Sequence, residues 1–130
     1  MEKMNVAVGV IKHNGLILLM KRSPAKKYYP GKWENAGGKI ENGEHKEAAI
    51  IREVKEETGL LGRVIRPGRS FEVMAEDIIF VVHPFLVEVP SGRVMLSREH
   101  TEFSWIPVED YVNFECVDSI DLDFKNLDLI

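Results

Sequence analysis

One cysteine in 130 residues, Cys116, rules out an intramolecular disulfide and points to a reducing, cytoplasmic compartment. Long apolar runs are also missing. The longest, Val6 to Ile11, contains Gly9 and falls far short of the roughly 20 residues that cross a bilayer, so no membrane partner is expected. The opening MEKMNVAVG lacks the basic, apolar and small-residue order of a secretory signal. Positive charge is not in excess: the net charge of −4 argues against a broad duplex-DNA footprint, which needs many cations facing phosphates. His13, His45, His83 and His100 show no zinc-type spacing with each other or with Cys116. A phosphate-binding P-loop is absent too, because Ile40 follows Gly38-Lys39 where Ser or Thr is needed. With no repeat, low-complexity stretch or linker, residues 1–130 are expected to form a single domain.

In bulk, the residues present are those of an ordinary globular chain, 45 % apolar and 29 % charged, but the charge is unevenly spread. Residues 21–32 hold Lys21, Arg22, Lys26, Lys27 and Lys32 with no acid among them. Glu41, Glu44, Glu47, Glu53, Glu56 and Glu57 follow, and the tail carries Asp118, Asp121, Asp123 and Asp128. A basic loop beside an acidic helix would suit a polyanion held through metal ions. Composition alone favours two ordinary solvated surfaces.

Residues 4–12 and 16–20 read as strands joined by His13-Asn14-Gly15, and Asn-Gly between apolar runs is a strong hairpin signal. A helix is expected from about Glu44 to Thr58, with Ile50, Ile51, Val54 and Thr58 on one face and Gly59 as its C-terminal cap. Strands follow at 63–66, 70–75, 78–89 and 103–106, with Pro84 suggesting a bulge or a sheet edge. Pro107 can open a short helix over Val108–Val112. This order fits an α/β (α+β) fold with a mixed sheet flanked by helices.

The informative segment is Gly38 to Leu60, GKIENGEHKEAAIIREVKEETGL. Glu53, Glu56 and Glu57 fall within an arc of roughly 100° on the helix, displaced from its apolar face. Like charges so placed destabilise a helix by roughly 0.2–0.5 kcal/mol per pair, so the cluster needs ample solvent or a cation. Oxygen donors of this kind suit magnesium. A solvated acidic face is the ordinary account of such a helix, and the spacing overturns it. Gly38, Glu44, Arg52, Glu53, Val54, Glu56, Glu57, Gly59 and Leu60 read G-x5-E-x7-R-E-V-x-E-E-x-G-L. This segment resembles the Nudix box at every defined position. The N-terminal NVAVGVI, the LLMKR that follows, Gly37, and HTEFSWIPVED after the strands resemble the MutT-like branch of that family.

The resemblance implies a Nudix-type α/β/α sandwich in which the box helix lies on a mixed β-sheet. It also implies hydrolysis of a pyrophosphate linkage in a nucleoside-diphosphate-linked substrate, with Mg2+ or alternatively Mn2+. By resemblance, Glu53, Glu56, Glu57, Glu102 and the carbonyl of Gly37 would bind metal. Glu53 or Glu102 would activate water, Arg52 would orient a box carboxylate, and Glu44 would support it. Arg22 and Lys39 are candidates for phosphate contacts. No covalent nucleophile is required, because metal ions can neutralise phosphoryl charge and position an in-line water.

Substrate choice lies outside the box. Relatives preferring oxidised guanine nucleotides often carry Phe-Pro before the two glycines, where this chain has Asn35-Ala36. Neither the proline of ADP-ribose-selecting relatives nor the tyrosine of those taking diadenosine polyphosphates appears near Glu76, Asp77 and Ile78. A nucleoside triphosphate cut to monophosphate and pyrophosphate is the resulting expectation. Asn35 would hydrogen-bond a base edge or cap a turn, and Phe80, Tyr28, Tyr29 and Trp33 would stack on a base or pack in the core. Trp105 is assigned to the core and His100 to the surface. The partly apolar tail would pack beside the base pocket, dock on a second subunit as a homodimer, or stay loose. Two rivals remain: a non-catalytic Nudix nucleotide sensor, which would be expected to have lost box residues, and an enzyme acting on a nucleotide conjugate or an RNA 5′ end.

Overall fold

The Asn14-Gly15 pair shapes the first hairpin. In the computed structural model, which describes residues 1–130, β1 (Glu2–His13) returns as β2 (Leu16–Arg22) through Asn14 and Gly15 at φ 50° and 76°. Positive φ at both turn residues matches the right-handed twist of the flanking strands. The short strands β3 (Trp33–Glu34) and β4 (Ala36–Lys39) pair with β2 and β1 respectively. Next come α1 (Lys46–Thr58), β5 (Arg63–Pro67), β6 (Phe71–Ala75) and β7 (Ile78–Glu88). β7 runs parallel to β1 from Glu2 opposite Ile78 to Lys12 opposite Glu88. β8 (His100–Ile106) is antiparallel to β2, a 3-10 turn covers Val108–Asn113, and α2 (Ile120–Asn126) ends the chain. The sheet is therefore mixed, with eight strands.

Strand alternation divides the core in two. On β1, Ala7 and Ile11 pack with Ala49, Ile50 and Val54 of α1. Val10, on the opposite face, packs with Ile120 and Phe124 of α2. β7 repeats the pattern, with Phe85 and Val87 toward α1 and Leu86 toward α2. A seven-residue helix has little stability of its own. What fixes α2 is burial of Ile120, Phe124 and Leu127, each stabilising by about 1.5–3 kcal/mol.

Two local expectations change. Pro84 lies in a central strand rather than at an edge: β5 pairs with β7 as far as Phe85 and β6 begins at Val82, so Pro84 sits in the gap where one partner gives way to the next. Its missing N–H breaks no ladder there, and its carbonyl accepts from the Gly68 N–H at 2.8 Å. The helix starts at Lys46, later than Glu44, because the Glu44 carboxylate closes a turn on the Glu41 N–H at 3.0 Å. Its C-terminus matches expectation, with Gly59 left-handed at φ 76°.

Candidate active site

Glu53 and Glu57 stand one turn apart on α1, and both are driven inward, 8 % and 2 % exposed. Two glycines of β4 make room for them. The Gly37 N–H donates to Glu57 Oε1 at 3.1 Å. A Cβ on Gly38 would lie 2.4 Å from Glu53 Oε1, so only glycine leaves that carboxylate its place. Glu99, in the turn before β8, completes the group: one ligand oxygen from each of Glu53, Glu57 and Glu99 lies within 4.8 Å of the others. Burial, then the charges of Glu34 and Glu53, push the Glu57 carboxyl well above the usual range. Burial likewise raises Glu53, against the opposing pull of Arg52. Three crowded carboxylates form an all-oxygen donor set that suits a hard divalent cation.

Arg52 holds the far side of the cluster. Its guanidinium donates to both Glu44 oxygens at 2.8 and 2.9 Å, to Glu53 at 3.0 Å, and to the Lys39 carbonyl at 3.0 Å. The Arg52 fork holds the Glu44 carboxyl at about 2, so the pair stays charged throughout the neutral range. Glu56 turns outward, its side chain 53 % exposed, and meets only the edge of Arg52.

A pocket of about 470 Å³ opens beside the cluster, lined by Glu53, Glu99, Gly37, Gly38 and Lys39. Its apolar wall comes from the face of the sheet opposite α1: Met4, Val6 and Val8 of β1 with Phe80 and Val82 of β7. Tyr28 meets Phe80 edge-on at 5.8 Å. Asn35 and Asp123 line the pocket as well. Asn35 Nδ2 donates to Asp123 Oδ2 at 2.9 Å, while the buried Asn35 Oδ1 has no partner. Burial, with further repulsion from Glu34 and Asp121, pushes the Asp123 carboxyl up to about 7, although the Asn35 bond pulls the other way. Arg22 is held by the Tyr28 carbonyl at 2.9 Å and by Glu34 at 2.8 Å, and Glu34 also bonds His100 Nε2 at 2.9 Å.

The family model described as the NUDIX domain matches residues 3–125. The chain belongs to the Nudix hydrolase family. The Escherichia coli O139:H28 nucleoside triphosphatase NudI is 27 % identical to it over 126 residues, covering 88 % of this chain and 89 % of NudI. The crystal structure of the MutT protein from Methanosarcina mazei Go1 superposes with a TM-score of 0.82 at 25 % identity, over 95 % of this chain and 90 % of that one. A MutT Nudix hydrolase from Burkholderia pseudomallei shares the fold, with a TM-score of 0.81 at 22 % identity, over 98 % and 99 % of the two chains. The chain is thus a Nudix pyrophosphohydrolase, with the mixed sheet and flanking helices of that fold.

Within the Nudix frame, the structure brings Gly37, Glu53 and Glu57 together, joins Arg52 to Glu44, and places Arg22, Lys39, Asn35 and Phe80 along one pocket. Glu102 lies elsewhere. It stands on β8 opposite Lys21, bonds that lysine at 3.3 Å, and its side chain is 59 % exposed. The neighbouring turn delivers Glu99 instead, tied down where the Ser23 N–H donates to the Glu99 carbonyl at 2.9 Å. Nothing in SREHTE distinguishes the two glutamates by sequence. His100, expected at the surface, is 4 % exposed, because its bond to Glu34 draws it under the pocket. Asp123 and Glu34 were not singled out from sequence, for only packing sets them beside Asn35 and Arg22. No helix of the molecule is long and apolar enough to cross a membrane.

Proposed function

We propose that this Nudix enzyme hydrolyses a nucleoside triphosphate to the monophosphate and pyrophosphate, using Mg2+ or Mn2+. One observation carries the reading: the Glu53–Glu57–Glu99 cluster borders a pocket that combines an apolar sheet wall, the cations Arg22 and Lys39, and the buried polar pair Asn35–Asp123. Glu53, Glu57 and Glu99 would hold the metal, with the Gly37 carbonyl as a further ligand, and Glu56 would join them only by turning in from solvent. Bound there, the metal would neutralise phosphoryl charge and lower the pKa of water. The protein's own groups do the rest. Glu53, made more basic by burial while Arg52 favours its ionised form, accepts the proton of the attacking water. Arg52 fixes that carboxylate from behind, and Glu44 keeps Arg52 in place. Lys39 and the remaining donors of Arg22 contact phosphate oxygens. The base lies against the wall formed by Phe80 and β1, its polar edge on Asn35 Oδ1, which gains there the partner it lacks. A small-molecule nucleotide is the partner implied.

A substrate panel tests the reading. With Mg2+, nucleoside triphosphates should release pyrophosphate, not phosphate, faster than ADP-ribose, nucleotide sugars, coenzyme A or short triphosphorylated RNA. Turnover restricted to a diphosphate conjugate would discard the triphosphate, and no turnover with nucleotide bound would favour the sensor.

Gly38→Ala gives a second check. The added methyl must displace the Glu53 carboxylate, so Mn2+ affinity should fall by about tenfold while the thermal midpoint changes little. An unchanged affinity in calorimetric titration would remove Glu53 from the metal site.

A further inference from the structure

The metal cluster already holds a cation of the protein's own. Lys26 Nζ bonds Glu99 Oε1 at 2.6 Å, and Glu99 is the cluster member that faces the loop of residues 23–32. Glu99 Oε1 is the only carboxylate oxygen the Lys26 ammonium pairs with, and both side chains are about one-third exposed, 30 % and 38 %. Lys26 and Glu99 line the same pocket. Arg52, the other cation at the cluster, is pinned by Glu44 and the Lys39 carbonyl and stays where it is. Lys26 is not pinned. Its four-carbon stem is flexible, while the loop base is anchored by the Lys26 N–H to the Ser23 carbonyl and by Ser23 to Glu99.

A divalent ion on Glu99 would stand roughly 4–5 Å from an ammonium on the same carboxylate, where like charges repel strongly. The two cations therefore compete for Glu99. Leaving it, the ammonium can pair with a phosphate chain entering the pocket that Lys26 lines.

We propose that Lys26 is a place-holder cation: it neutralises Glu99 while the cluster is free of metal, and loading of the cluster releases it to the phosphates of the substrate. This rests on the proposed reading that metal and phosphates share the pocket. Lys26 thereby couples the two ligands. It opposes metal alone and favours metal and phosphate together, and by linkage each raises the affinity for the other.

The test uses the intact protein and two probes that need no turnover, Mn2+ alone and inorganic triphosphate at saturating free Mn2+. Lys26→Met should bind Mn2+ about tenfold more tightly and triphosphate about tenfold more weakly than the parent, each the size of one charge-assisted contact. Lys26→Arg, which keeps the charge, should restore both constants toward the parent values. Lys27→Met is the control for general charge, because Lys27 lies over the Tyr28 ring at 5.1 Å rather than on the cluster, and it should move Mn2+ affinity less than about twofold. Opposite shifts in Lys26→Met alone support the place-holder. Unchanged or weaker Mn2+ binding, an equal tightening in Lys27→Met, or unchanged triphosphate binding overturns it. Glu57→Gln separates the two layers: if it leaves Mn2+ binding intact, the ion is not in this cluster and the site reading fails, whereas failure of the Lys26 shifts alone leaves that reading standing.

Discussion

Glu57→Gln leaves the protein folded and lowers metal-dependent pyrophosphate release by about 10³-fold or more, the scale on which loss of a main electrostatic element is felt. The two halves of this expectation come from the same burial. Glu57 is 2 % exposed and carries the cluster's most strongly raised carboxyl, so a metal that holds it ionised gains a donor with no water to compete for it. Glutamine keeps the shape and still accepts from the Gly37 N–H, but it brings no charge. The metal-free protein should therefore not suffer. A folded-state carboxyl pushed upward loses stability as pH rises through its folded value, and the variant escapes that loss. Thermal melts in chelator at pH 8 should show a midpoint at or above that of the parent. Steady-state kinetics with the purified variant decide the rest. Retained turnover would remove Glu57 from the metal set, and an unfolded variant would show that the carboxylate is needed for packing rather than chemistry.

The second large effect is on stability. Asp123 goes from the ordinary 3.8 to about 7 on folding, mainly through burial. The folded state holds this proton more tightly than the unfolded chain does. Its contribution is fully present below about pH 4 and is lost as pH rises toward 7. At about 1.4 kcal/mol per unit, the full span is on the order of 4 kcal/mol. In chelator and without nucleotide, Asp123→Asn should be little changed at pH 4 and more stable than the parent at pH 8, by about 10 °C in thermal midpoint. Glu53 and Glu57 shift in the same direction, so both proteins keep some slope and the difference between them isolates Asp123. Nucleotide binding should move the other way, weakened at pH 8 by loss of an acceptor beside Asn35 Oδ1. Parallel pH curves for the two proteins would show that folding does not shift the Asp123 carboxyl.

Legibility from sequence followed the range of the interactions. The first hairpin was written in Asn14-Gly15, because the turn depends on two residues that tolerate positive φ. The helix carrying Glu53 and Glu57, its Gly59 cap, and the Arg52 partnership with Glu44 lie within one continuous segment. Fixed spacing there translates directly into geometry, and it named the family whose model matches the chain. Tertiary structure decided which carboxylates meet. Helical arithmetic grouped Glu56 with Glu53 and Glu57, yet only Glu53 and Glu57 face the glycines of β4, and Glu56 turns to solvent. The third carboxylate came from a turn more than forty residues away, where Ser23 anchors Glu99 while Glu102 goes to Lys21. Asp123 was one acid in a tail of acids until Phe124 and Leu127 docked α2 on the sheet and turned it onto Asn35. The sequence by itself determined the chemistry that the local segment can carry. The pocket, its buried polar pair and the lysine at its carboxylate cluster had to await the fold, because desolvation and long-range charge pairing exist only once distant segments pack.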